Sequence, residues 1–363
     1  MKRARARSAS RLLLDSAERT ARLDPRGMGN RIEGFAHQLR SGYSIASGVV
    51  ERLAPEHPRR VVLFGMGGSA IAGDLIRCLV DREGTTAFRV VRHYEPPGWL
   101  SPEDFLIFSS YSGETEETLT AYKRLRRIGG PSCVLSTGGK LSDRARADGI
   151  PVALLPPGHP PRAALGYSFA AIAHIVEHLG VLAAAGPRVE SAACGVEEAV
   201  AGLGRTVVQS RNPAKKLAMR VKDRAILVLS DDRTLGPVAL RWKGQLNENA
   251  KHLAWACPLP EMNHNELDSY VYPANVVGRL AAILLRDPGE HPRIQARFRW
   301  VATHLKRRGI AVETIEARGE DAMTRLMTCV VMGDFLSYYL ALAHGADPSA
   351  LPAVGSLKKA LSR

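Results

Sequence analysis

The sequence predicts an α/β protein made of two similar halves, each a parallel sheet flanked by helices. Short apolar segments of strand type alternate with segments of helical periodicity, which is the pattern of a parallel sheet. A strand–turn–helix unit occurs twice, at 61–80 and at 226–251. With 363 residues, the chain is long enough for two domains that each bury a core.

Strands are predicted where a short apolar run ends in a turn rich in Gly, Ser or Asp. They lie at 60–64, 105–108, 133–135 and 152–155 in the first half, and at 225–229, 253–257 and 312–315 in the second. A helix with Ile71, Leu75, Ile76 and Leu79 on one face follows the first strand, and another runs from about 236 to 251. The apolar stretches 277–285 and 327–342 are predicted to be covering helices.

The pattern restarts near residue 187, after a stretch rich in Ala and Gly, and this sets the predicted domain boundaries. We expect a basic flexible tail at 1–23, an N-terminal domain at 24–186, a C-terminal domain at 187–345 and a C-terminal segment at 346–363. The tail concentrates basic residues at its start, namely Lys2, Arg3, Arg5, Arg7 and Arg11.

The formal net charge is +14, from 50 basic and 36 acidic residues. Outside the tail this charge is dispersed, with no basic stripe among aromatics, so we expect no nucleic-acid partner. No apolar run approaches the roughly 20 residues that span a bilayer, so no membrane is expected either. The cysteines are single and odd in number, which fits a reducing cytoplasm rather than disulfides or structural zinc; they are Cys78, Cys133, Cys194, Cys257 and Cys329.

A hydroxyl-rich turn follows the apolar run 105–108. Ser110, Ser112 and Thr115 stand there within six residues, directly before a predicted helix. Hydroxyls, free N–H groups of a first helical turn and the helix dipole together favour a phosphate. Because no lysine or metal ligand accompanies them, the phosphate is expected to be a handle and not a transferred group. The alternative is a plain helix cap, in which Ser112 or Thr115 bonds to the helix.

A glycine-rich loop, GMGGSA, spans 65–70 after the first strand. It matches the loose dinucleotide pattern, yet no acidic residue ends a second strand about 20 residues later, which argues against NAD. The plain alternative is a tight turn that requires glycine. We interpret Gly68 and Ser69 as a second wall of the phosphate or sugar pocket.

Taken in order, these motifs resemble the bifunctional phosphoglucose/phosphomannose isomerases, which carry two sugar isomerase (SIS) domains. The similar segments are GMGGSAIAGD at 65–74, SYSGETEET at 110–118, STGGKL at 136–141, PPRAALG at 160–166, NENAK at 247–251, EMNHNE at 261–266, Asp347-Pro348 and Leu357-Lys358. The resemblance runs from about residue 24 to the end of the chain. It implies a fold of two SIS domains followed by a C-terminal helix.

The resemblance also implies the roles of individual residues. Ser110, Ser112 and Thr115 would hold a sugar 6-phosphate, and Gly68 and Ser69 would lie beside the sugar. Glu248 would be the catalytic base, and His264 would act in ring opening. Lys358 would assist near the ring oxygen or O1, and Arg162 would stabilise the enediolate. The implied reaction interconverts glucose 6-phosphate, mannose 6-phosphate or both with fructose 6-phosphate, without metal or cofactor. A homodimer is implied, with the histidine supplied across the interface.

Two positions depart from the family pattern. Glu114 stands where a neutral residue is usual, and because a carboxylate facing the phosphate would repel it, we expect Glu114 to point away as a first-turn acid of its helix. Ser349 replaces an expected threonine and retains the hydroxyl.

The alternative function is a non-catalytic phosphosugar sensor, although residues 1–24 are too few for a helix-turn-helix module.

Overall fold

The computed structural model describes residues 13–53, 57–127 and 129–361, which divide into two compact units. The N-terminal unit comprises Gly34–Glu197 and Arg318–Thr328. The C-terminal unit comprises Met1–Glu33, Glu198–Ala317 and Cys329–Arg363. The basic residues of the predicted tail, from Lys2 to Arg11, lie outside the described residues.

The N-terminal unit holds a five-stranded parallel sheet in the order β2-β1-β3-β4-β5. Its strands are β1 Arg60–Gly65, β2 Ala87–Val91, β3 Asp104–Ser109, β4 Ser132–Ser136 and β5 Val152–Leu154. Its helices include Phe35–Ile45, Ser47–Val50, Gly67–Glu83, Glu116–Leu125, Gly139–Ala147 and Leu165–His178, with a 3-10 turn at Pro161–Ala163. Four of these strands were predicted. β2 was missed because this edge strand is only partly buried and carries an exposed arginine.

The C-terminal unit holds a four-stranded parallel sheet in the order β7-β6-β8-β9. Its strands are β6 Ala225–Asp231, β7 Ala254–Leu259, β8 Leu280–Arg286 and β9 Ala311–Glu316. Its helices include Ala17–Leu23, Met28–Glu33, Pro213–Val221, Gly236–Glu248, Met262–Asn265, Ala274–Val277, Pro292–Arg307 and Pro352–Leu361, with a 3-10 turn at Leu267–Ser269. The helices Ala185–Leu203 and Ala322–His344 each contribute residues to both units.

The predicted covering helix at 277–285 is wrong. Most of that stretch is β8, an internal strand paired with β6 on one side and β9 on the other. Six of its seven residues are buried, because helices cover both faces of a parallel sheet. A continuous apolar run of this length has no alternation, so periodicity could not separate a central strand from a buried helix.

The second apolar stretch, 327–342, does lie in a helix, Ala322–His344, as predicted. By length and composition this helix could cross a bilayer, which the count of consecutive apolar residues did not anticipate. Within its most apolar 18-residue window, 94% is buried inside the protein. That burial is typical of a core helix.

The N-terminal boundary differs from the expected flexible segment. Residues 17–23 form a helix that begins at Ser16, whose hydroxyl accepts a hydrogen bond from the Arg19 N–H at 3.2 Å. Leu14 is buried, and Asp15 forms a 2.9 Å ion pair with the buried Lys215. The described part of this segment therefore contributes to the C-terminal unit because it supplies a partner for a buried ammonium group.

Candidate active site

The cradle loop, residues 110–115, joins the carboxyl end of β3 to the helix Glu116–Leu125. The Ser110 hydroxyl accepts a hydrogen bond from the Gly113 N–H at 3.1 Å and donates one to the Thr115 hydroxyl at 2.8 Å. Thr115 is the N-cap residue, yet its side chain makes no capping bond to the helix. The structure therefore does not support Thr115 in the cap interpretation.

The hydroxyls of this loop have different environments. Ser110 is almost fully buried and its hydrogen bonds stay within the loop, so it braces the turn. Ser112 is exposed, and the half-buried Thr115 accepts the bond from Ser110, which leaves its own proton to donate. Together with the first N–H groups of the helix, Ser112 and Thr115 are the donors available to an anion.

The glycine-rich loop lies beside the cradle loop at the same edge of the sheet. β1 and β3 are neighbours, with Gly65 opposite Ser109 in the register. A Cβ on Gly68 would lie 2.8 Å from the Pro161 carbonyl oxygen and 3.5 Å from the Arg162 Cα, so only glycine permits this approach. The structure thus brings Gly68, the buried Ser69 and the buried Arg162 together.

The Glu114 side chain extends to the loop that follows β4. Its carboxylate contacts Lys140, with the Nζ 2.8 Å from Oε2 and the backbone N–H donating to Oε1 at 3.0 Å. The hydrogen bond from the Lys140 side chain lowers the pKa of Glu114 below its ordinary value. Glu114 thus caps the neighbouring helix Gly139–Ala147 and is not a first-turn acid of its own helix. Sequence reasoning missed Lys140, although it quoted the motif that contains it.

Glu248 is the last residue of the helix Gly236–Glu248 and is half-buried. This helix is anchored by a buried ion pair between Arg241 and Asp334, with 2.6 Å between nitrogen and oxygen. The Trp242 indole N–H donates to the Cys329 carbonyl at 2.9 Å. Because these contacts fix the helix, the backbone of Glu248 at its end has a defined position.

Lys251 links the Glu248 segment to the segment that carries Lys358. It adopts a left-handed backbone, with φ of 54°, and its ammonium group donates to the carbonyls of Asn249 and Asp347. Asp347 in turn accepts from the Ser349 N–H at 2.7 Å. Lys358 lies further on, in the helix Pro352–Leu361, whose residues are all exposed.

Within the C-terminal sheet, His264 lies beyond the carboxyl ends of the strands, whereas Glu248 lies near their amino ends. The helix Gly236–Glu248 returns from the carboxyl end of β6, and the Asn247 side chain accepts from the N–H of Ala254, the first residue of β7. His264 comes after the last residue of β7, in the short helix Met262–Asn265, and is exposed. The six residues of β7 span about 20 Å at roughly 3.3 Å each. A single chain therefore does not bring His264 to its own Glu248.

Comparisons with known proteins show the family of the chain. The family model described as bacterial phospho-glucose isomerase C-terminal SIS domain matches residues 210–361. A bifunctional phosphoglucose/phosphomannose isomerase from Caldicellulosiruptor bescii is 30% identical, covering 92% of this chain and 99% of that protein. One from Aquifex aeolicus is 29% identical, covering 92% and 97%.

A solved structure shows the same fold at lower identity. The crystal structure of a glucose-6-phosphate isomerase like protein from Thermus thermophilus aligns with a TM-score of 0.63 and 20% identity, over 95% of this chain and 97% of that one. The fold of two parallel sheets with a C-terminal helix is thus confirmed, and so is the resemblance noted from the motifs. The chain belongs to the bifunctional phosphoglucose/phosphomannose isomerase family.

Proposed function

We propose that the protein is an aldose–ketose isomerase that interconverts fructose 6-phosphate with glucose 6-phosphate, mannose 6-phosphate or both. The observation that carries this proposal is the 30% identity to a bifunctional isomerase over nearly the whole of both chains. The cradle loop supports it independently, because its exposed donors suit a phosphate that anchors the sugar without being transferred.

In this proposal the cradle loop and the glycine-rich loop hold the substrate. Ser112 and Thr115 donate to the 6-phosphate, while Ser110 acts through Thr115, to which it donates at 2.8 Å. Gly68 and Ser69 line the sugar. The guanidinium of Arg162 stabilises the negative charge that develops on the enediolate oxygen. The contact of Gly68 with the segment of Arg162 supports these last two roles.

Three further residues are proposed to transfer protons or to assist that transfer. Isomerisation moves a proton between C1 and C2 through a cis-enediol, and one carboxylate, Glu248, removes and returns it. His264 opens the hemiacetal ring, because an imidazole can both donate and accept a proton. Lys358 assists near the ring oxygen or O1. No step in this scheme requires a metal or a cofactor.

The active enzyme is proposed to be a homodimer in the cytoplasm. The separation of Glu248 and His264 along β7 supports a site in which the histidine comes from a partner subunit. Cytoplasmic location is supported by the cysteines, which are all free thiols, with Cys78, Cys133, Cys257 and Cys329 buried.

A coupled assay with fructose 6-phosphate tests the proposed reaction. We expect glucose 6-phosphate, mannose 6-phosphate or both to form, measured by separate coupling enzymes, at rates unchanged after dialysis against EDTA. A protein that binds fructose 6-phosphate but forms neither product would be the sensor alternative. Loss of activity in EDTA that returns with a divalent cation would contradict the metal-independent scheme.

Removing two cradle hydroxyls should weaken substrate binding. In Ser112→Ala together with Thr115→Ala, KM for fructose 6-phosphate should rise about a hundredfold or more, because each of the two lost hydrogen bonds to a charged group contributes about 1.5–3 kcal/mol. kcat should change less, since the phosphate is a handle held in both ground and transition states. Steady-state kinetics measure both constants.

The matched control for this pair is Ser44→Ala. Ser44 is an exposed hydroxyl of the same unit, and it donates to the Arg40 carbonyl at 3.2 Å. Its removal should leave KM unchanged. If KM of the double variant equals that of the wild type, these two hydroxyls do not hold the phosphate.

A further inference from the structure

The cradle loop is interlocked with a second loop, which we name the rim loop, residues 136–141. The N–H groups of Thr137 and Leu141 donate to the carbonyls of Tyr111 at 2.9 Å and Gly113 at 3.1 Å. A Cβ on Gly113 would lie 1.9 Å from the Gly138 carbonyl oxygen, so the two backbones touch and glycine is required there. The position of the cradle loop therefore depends on the rim loop.

Glu114 is the side chain that closes this contact. One carboxylate oxygen accepts from the Lys140 backbone N–H at the start of the helix Gly139–Ala147, and the other accepts from the Lys140 ammonium group. The first contact satisfies an unpaired helical N–H, and the second neutralises the carboxylate. Both carboxylate oxygens of Glu114, the residue directly before Thr115, are therefore bound to Lys140.

If Glu114 were turned towards the substrate phosphate, it would oppose phosphate binding. Glu114 lies between two proposed phosphate donors, Ser112 and Thr115, so a carboxylate released from Lys140 would add negative charge beside the anion. Its pKa lies below the ordinary value because of the hydrogen bond from Lys140, so the group is ionised at neutral pH.

We propose that Glu114 and Lys140 form a latch that positions the cradle loop and keeps a carboxylate off the substrate phosphate. The inference rests on the proposed function, and it makes Glu114 a positioning residue and not a ligand. The latch holds the loop in its donor geometry before the substrate arrives, which lowers the ordering cost of binding.

The latch and simple charge repulsion predict opposite results. If Glu114 only repelled the phosphate, Glu114→Ala and Glu114→Gln would both lower KM. If it is a latch, Glu114→Ala should raise KM about fivefold, in line with the loss of a helix cap. Glu114→Gln, which keeps an acceptor for the Lys140 N–H, should recover most of that loss. kcat should be unchanged in both.

Lys140→Met gives the sharper result. It removes the ammonium group that neutralises Glu114, while the backbone N–H of residue 140 still holds one carboxylate oxygen. The uncompensated charge then lies beside the anion, so KM should rise. Adding Glu114→Ala to Lys140→Met should then remove the repelling charge and leave KM no higher than in Lys140→Met alone. The matched control is Asp81→Ala, which breaks a 2.9 Å ion pair with Arg77 elsewhere in the same unit and should not alter KM.

Calorimetric titrations with fructose 6-phosphate and with inorganic phosphate test the latch independently of turnover. The latch predicts that Glu114→Ala and Lys140→Met weaken binding of both anions, whether or not turnover occurs. Unchanged or tighter binding in Glu114→Ala overturns the latch. If wild type binds inorganic phosphate but not fructose 6-phosphate, the proposed substrate fails, and the phosphate titrations of the variants still decide the latch.

Discussion

Replacing Glu248 by glutamine should lower kcat for isomerisation by about 10²- to 10⁴-fold, the usual contribution of a general base. Glutamine keeps the size and the hydrogen-bonding capacity of the side chain but cannot remove a proton from C1 or C2. Substrate binding should persist, since the proposed phosphate contacts lie in the N-terminal unit. Incubation in D₂O sharpens the measurement, because wild type should exchange solvent deuterium into the sugar and Glu248→Gln should not.

A matched carboxylate controls for charge and stability. Glu198 is exposed and belongs to the same unit, so Glu198→Gln should retain full activity. Calorimetry with fructose 6-phosphate should give similar Kd values for wild type and Glu248→Gln. Turnover and deuterium exchange at the wild-type rate in Glu248→Gln would remove Glu248 from the mechanism.

Two inactive variants should complement each other when mixed as subunits. Glu248→Gln and His264→Ala should each be nearly inactive as homodimers. After co-refolding, half of the dimers are mixed, and each mixed dimer has one intact site of two, so about a quarter of wild-type activity should return. The physical reason is the placement of Glu248 and His264 at opposite ends of β7 within one chain.

Two differently tagged chains report whether mixed dimers have formed. Each variant refolded alone is the control and should stay inactive. If mixed dimers are isolated through both tags and remain inactive, each site uses residues of one chain only. A chain that stays monomeric at assay concentrations would also contradict the shared site.

Sequence reasoning performed best where function depends on neighbouring residues. The cradle loop was predicted because strand, hydroxyls and helix start are consecutive, and local hydrogen bonds such as Ser110 to Thr115 follow from that order. It failed at β8, where a buried apolar run carries no periodicity. It also missed β2, whose partial burial weakens the apolar signal of a strand.

The sequence by itself determined the α/β class, the two strand–turn–helix units and the run of donors that suits a phosphate. Each of these depends on residues a few positions apart, whose geometry the backbone limits. Only the tertiary structure decided that Glu114 contacts Lys140, and that Glu248 and His264 lie near opposite ends of the strands of one sheet. Those outcomes depend on how parallel strands and their returning helices are connected, which brings distant residues together or holds them apart.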